Sequence, residues 1–162
     1  MALRHGLTDE EWEVLLYVPF AVFFSVAYAD GKLSHVESNT FAALAKATAS
    51  GASRPQDALV RDILRDISTQ FGAVGGRLNA RLGAGLTIED VFVTGRRLLD
   101  TKIDALQAQV FKATMIQLAQ AIAESTPLFG RKVSAEEQRS IDLIKGHLGI
   151  PGPGDAFVPF GT

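Results

Sequence analysis

The sequence predicts an all-α protein, a single-domain helical bundle of about six to seven helices. Apolar residues recur at helical spacing along most of the chain, no stretch alternates with a period of two, and β-branched runs are absent. Helix-start signals support the same reading. Thr8-Asp9-Glu10-Glu11, Ser34-His35-Val36-Glu37 and Ser134-Ala135-Glu136-Glu137 share the Ser/Thr-x-x-Glu spacing of a capping box, in which hydroxyl and carboxylate satisfy each other's unpaired helix-start amides. The 162 residues suffice for one core that buries about 70% of the unfolded surface. The domain is expected over residues 1–150, with 151–162 as an extended C-terminal tail.

The first helix begins at about Asp9. From Val14 to Ala29 it is apolar on every side, the mark of a helix enclosed by others. Pro19 removes the hydrogen bond to the Leu15 carbonyl and predicts a bend or a break there. Asp30-Gly31 ends the helix, since glycine takes the left-handed cap conformation without strain. A second helix runs from the Ser34 box to about Ser50, with Val36, Phe41, Leu44 and Ala45 toward the core, and stops at Gly51. Pro55 opens a third, because its missing amide has no partner in a first turn. Leu59, Val60, Ile63, Leu64 and Ile67 give that helix its apolar face, and it ends near Phe71-Gly72.

Residues 72–86 are rich in glycine yet carry Leu78, Leu82 and Leu86 at four-residue intervals, which predicts a loop with one short, weak helix. Thr87 caps a helix from Ile88 to about Leu99. A long helix follows from about Thr101 to Glu124, carried by Ile103, Leu106, Val110, Met115, Leu118 and Ile122. The last opens at Ser134, uses Ile141, Leu143, Ile144 and Leu148, and stops at Gly149. The prolines of the tail enforce extended chain. Its Phe157, Val158 and Phe160 are expected to pack in a groove of the domain or of a partner.

Composition excludes several chemistries. Without cysteine there is no disulfide, thiolate zinc site, iron–sulfur cluster or cysteine nucleophile. A net charge of −2 exerts no global pull on nucleic acid or anionic lipid, so nucleic acid is not an expected partner. The sixteen apolar residues from Val14 to Ala29 reach about 24 Å as a helix against a hydrocarbon core of about 30 Å. The flank before them is acidic, the wrong sign for a signal peptide. The expectation is a cytoplasmic protein, with peripheral membrane association disfavoured.

The chemistry-bearing feature is a pair of acidic turns. Ala27-Tyr28-Ala29-Asp30-Gly31-Lys32-Leu33-Ser34-His35-Val36-Glu37 sets two carboxylates seven residues apart around a glycine turn, and a partial copy spans Ala121 to Glu137. There Glu124 stands for Asp30 and Glu137 for Glu37, across thirteen positions, with Phe129-Gly130 where the first copy has Asp-Gly. The chain thus reads as two pseudo-repeated halves. This arrangement resembles the TerB-like (tellurite resistance protein TerB) family, well over the first fifty residues and loosely over the last forty. The resemblance implies a helical fold, acidic residues at two turns that bind a divalent cation, and a role in tellurite or metal resistance or stress.

Asp30, Glu37, Glu124 and Glu137 are accordingly the candidate metal ligands, with Ca²⁺ first among the ions. A hard cation of this kind takes six to eight oxygens at about 2.3–2.6 Å. An independent EF-hand is rejected: with Glu37 as its twelfth residue, its first and third would be Val26 and Tyr28, which cannot ligate. The competing account is structural, with Glu37 and Glu137 as capping residues and Asp30 as a polar helix end.

The remaining candidates are weaker. His5, His35 and His147 lack helical-spacing partners and read as exposed surface. Arg77, Arg81, Arg96 and Arg97 beside glycines suit a phosphate, but the glycine pattern fits neither a P-loop nor a dinucleotide turn. Glu124-Ser125-Thr126 lacks a histidine neighbour that would make a nucleophile. Phe20, Phe23, Phe24 and Tyr28 read as core. The chain is expected to be non-enzymatic and to bind protein partners. The alternatives are a purely structural protein–protein interaction module and, further off, a small metal-dependent hydrolase.

Overall fold

The computed structural model describes residues 5–27, 35–124 and 135–149. The Thr8 amide donates to Glu11 Oε1 (2.9 Å) and the Glu11 amide to Thr8 Oγ1 (3.2 Å), so the capping box starts α1 (Asp9–Ala27) where its spacing predicts. The helix then runs unbroken through Pro19, so of the bend or break that the sequence predicts there, the break does not occur. Leu15 to Phe23 are all buried, so packing around the helix offsets the hydrogen bond that proline removes.

Next come α2 (His35–Gly51), a 3-10 turn (Pro55–Asp57), α3 (Ala58–Thr69), α4 (Phe71–Gly83), α5 (Ile88–Lys102), α6 (Ala105–Glu124) and α7 (Ala135–Leu148). No strand occurs among the described residues. The protein is an all-α helical bundle. Helix α1 is its axis and packs against α3, α4, α5, α6 and α7. It reaches α2 through rings: Phe23 stacks on Phe41 at 4.8 Å, and Phe20 meets Phe41 edge-on at 5.1 Å. Phe71 joins this cluster 5.2 Å from Phe20. The predicted face of α3 is borne out, all five of its apolar residues being buried. Leu59 also donates its amide to Gln107 Oε1 of α6 at 3.0 Å.

The glycine-rich segment differs most from expectation. Instead of a loop with a short helix, Phe71 to Gly83 form one thirteen-residue helix, broken from α3 only at Gln70. Val74 and Leu78, one turn apart, are fully buried, and Leu82 packs behind them. Burial of that stripe outweighs the weak helix propensity of glycine. Gly75 also lets α4 approach α1, for a Cβ there would lie 3.2 Å from Phe20 Cε1. The approach of α5 is closer still, a Cβ on Gly95 falling 2.7 Å from Val18 Cγ2.

Boundaries move at α5 and α6. Thr87 does cap α5, exchanging bonds of 3.0 Å with Asp90, but the helix continues to Lys102. Ile103 is extended, and Asp104 Oδ2 accepts from the Leu106 and Gln107 amides at 3.2 and 3.3 Å. The long helix therefore starts at Ala105 rather than Thr101, capped by an aspartate. Two predicted core residues lie outside: Leu106 is 50% exposed and Leu143 63%. Ile141, Ile144 and Leu148 are buried as expected. Gly149 closes α7 with a φ of 77°.

Candidate functional site

The direction of the helices fixes which ends meet. Helices α1 and α5 are antiparallel: Glu11 pairs with Lys102, Gly95 lies on Val18, and Ser25 faces Phe92 and Ile88 across a small hollow. That hollow, about 230 Å³, is completed by Ser140, Leu143, Ile144 and His147 of α7. The last turn of α1, the first turns of α5 and the part of α7 from Ser140 to His147 thus meet around this hollow. His147 stacks on Phe92 with ring centres 5.7 Å apart and planes 4° from parallel. It is half-buried packing, where the sequence predicted an exposed histidine.

Asp30 lies outside the described residues, as do the remainder of the first acidic turn from Tyr28 to Ser34 and residues 125–134. Glu37 is the third residue of α2, Glu124 the last of α6 and Glu137 the third of α7; their side chains also lie outside the description. The tail residues Phe157, Val158 and Phe160 and the core candidates Tyr28 and Val36 fall there too. Among the described side chains no group of three or more His, Asp or Glu forms a ligand set.

The arginines that suited a phosphate are engaged elsewhere or spread apart. Arg77 forks onto Glu13 of α1, with Nη2 to Oε1 at 3.0 Å. Arg81 sits over the Tyr17 ring, 5.7 Å from its centre, and Arg96 pairs with Asp100 at 3.4 Å. Burial pushes the Glu13 carboxyl up, but hydrogen bonds from Arg77 and Tyr17 outweigh it and hold the group below the usual range.

A larger cleft, about 410 Å³, opens between the end of α2, the 3-10 turn, α3 and α6. Val60, Leu106 and Val110 give it apolar lining, and Arg54 and Asp57 stand at its polar side. Arg54 holds Asp57 through Nε to Oδ2 at 3.0 Å and Nη2 to Oδ1 at 2.8 Å, and that hydrogen bonding keeps the buried carboxyl ionised well below its ordinary range. Sequence spacing missed this pair because Asp57 reads only as the residue before a helix.

Histidine 5 also departs from expectation. Its ring is part-buried, bonded through Nε2 to Asp62 Oδ2 at 2.9 Å and stacked on Trp12.

No family model matches the chain, and no curated protein or solved structure matches it. Among the described residues no helix is long and apolar enough to cross a membrane.

Proposed function

We propose that this chain is a non-enzymatic TerB-like helical protein that binds a divalent cation between two acidic inter-helix turns and engages a protein partner in tellurite, metal or stress resistance. The observation that supports this reading is the meeting of α1 and α7 across the hollow at Ser25 and Ser140. Asp30 follows the last residue of α1 by three positions, at most about 10 Å of chain. Glu137 stands three residues before Ser140 in α7, about 4.5 Å along the axis. The four carboxylates Asp30, Glu37, Glu124 and Glu137 offer hard oxygens alone, the donor set that suits Ca²⁺ before softer ions. In this reading the ion ties the two turns together and makes that end of the bundle rigid for a partner.

Calorimetric titration of the full chain with Ca²⁺, Mg²⁺ and Zn²⁺ tests it. Heat of binding is expected with Ca²⁺, reduced in Asp30→Asn and in Glu137→Gln; absence of heat in every titration discards the cation. A cation-free interaction module is the second reading, favoured by the exposure of Leu143 on the rim of the same hollow. It would stand if no ion bound and Leu143→Ser lost the partner.

A further inference from the structure

We propose that the cleft between α2, the 3-10 turn, α3 and α6 binds a small monocarboxylate with an apolar chain, Arg54 taking the head and a stripe of α6 the chain. At about 410 Å³ the cleft falls within the range of small-molecule sites, which are mostly apolar with a few polar groups that fix orientation. None of its lining residues belongs to the two acidic turns, so the inference is independent of the cation reading. Leu106, Val110 and Ala113 follow one another at four and three residues along α6 and so share one face of the helix. Val60 of α3 adds to this wall. Leu106 is 50% exposed, one of three large apolar side chains left so open to water among the described residues. A hydrocarbon chain laid along the stripe leaves water together with that surface, and each methylene group buried contributes to affinity.

The head group follows from the charges. Of the twelve residues that line the cleft, only Arg54 and Asp57 carry one, and a ligand meets them unequally. The Asp57 side chain is 7% exposed and that of Arg54 62%. Both Asp57 oxygens are turned to Arg54: Oδ2 accepts from the Arg54 amide at 3.2 Å and from Nε at 3.0 Å, and Oδ1 accepts from Nη2 at 2.8 Å. These bonds occupy one edge of the guanidinium. Arginine carries a fork of N–H donors, and those on Nη1 and the outer side of Nη2 have no acceptor among the described residues. That outer edge matches a second carboxylate, held bidentately. Asp57 acts as a positioning residue, because it fixes the fork before the ligand arrives and so lowers the ordering cost of binding. A guanidinium already shared with one carboxylate suits a monoanion rather than a phosphate dianion, and the α6 stripe selects an apolar chain over a short polar acid.

Octanoate is the probe. Titrated into the full-length protein at millimolar concentration, it is expected to bind saturably by calorimetry and to shift the amide resonances of Arg54, Val110 and Ala113 in NMR spectra. Octanol keeps the chain without the carboxylate, and acetate keeps the carboxylate without the chain. Each should bind at least about tenfold more weakly, since a hydrogen bond to a charged group and the burial of several methylene groups are each worth a factor of that order. Arg54→Gln, with its helical circular dichroism intact, should lose about the same factor. Leu106→Asp replaces a half-exposed side chain, leaves the core untouched and sets a like charge beside the ligand. It should weaken octanoate about tenfold as well, and it decides the matter if Arg54→Gln does not fold. Absence of saturable binding, octanol or acetate binding as tightly as octanoate, shifts centred on other residues, or unchanged affinity in a folded Arg54→Gln or in Leu106→Asp would each overturn the proposal.

Discussion

Two glycines, Gly76 and Gly95, should respond in opposite directions to the same added methyl group. Gly76 lies inside α4, exposed, with nothing within 4 Å of where a Cβ would stand. Gly76→Ala therefore gains the propensity difference between glycine and alanine alone, about 1 kcal/mol. Gly95 lies inside α5, where the same Cβ would be 2.7 Å from Val18 Cγ2. Carbon contacts settle at about 3.5–4.0 Å, so one partner must retreat by about 1 Å. Val18 is fully buried and stiff at χ1, which forces the helices apart. Overpacking of this kind costs about 1–3 kcal/mol, and the propensity gain returns about 1 of it. The two variants should then differ by about 2 kcal/mol, or about 4–8 °C in Tm for a chain of this size. Urea and thermal unfolding, followed by circular dichroism, measure both. A neutral or destabilised Gly76→Ala would mean that residues 71–83 are not a helix, and a stabilised Gly95→Ala would mean that α5 does not lie on α1 as described.

Thr87→Ala should cost about 1 kcal/mol in denaturant unfolding, the usual worth of an N-cap whose side chain accepts from the first turn. Ile141→Ala should cost about 2–5 kcal/mol and Leu143→Ala under about 0.5, a contrast read from the same unfolding curves that would vanish if the last helix were rotated about its axis. Asp57, Asp90 and Asp100 all sit below their ordinary values: Arg54 and the Thr87 cap lower the first two, and Lys112 with Arg96 outweighs burial at the third. Their folded values lie below their unfolded ones, so the stability they contribute is fully present above about pH 4 and is lost as pH falls through the folded values. Acid unfolding should consequently begin only below that point, and at higher pH in Arg54→Ala than in wild type.

Much of the fold was legible in the sequence where local chemistry and burial agree. The Thr8 and Thr87 caps, the five apolar residues of α3 and the enclosed character of α1 all follow from spacing alone. Helix α4 was not, because propensity counts its glycines as breakers while Gly75 earns its place through closeness to Phe20, a relation between elements. Leu143 shows a finer failure: Ile141, Ile144 and Leu148 recur at three and four residues and form one stripe, from which Leu143 is rotated away. Strict periodicity separates it, whereas mere hydrophobicity does not. Nothing local announces the bond of His5, in the turn before α1, to Asp62 of α3, fifty-seven residues away. Of the candidate cation ligands, the residue types and their spacing are legible; a spacing rule contains nothing of how two turns sit relative to one another in space.

The enclosure of α1 has a consequence for biogenesis. Ribosomes make α1 before the partners that cover it: α5, α6 and α7 follow over residues 88–148, several seconds to some tens of seconds later at about 5–20 residues per second. Throughout that delay its greasy sides are exposed on an unfinished chain. Such a nascent polypeptide invites chaperone capture, and a premature stop before the final helix would leave a sticky fragment destined for proteolysis.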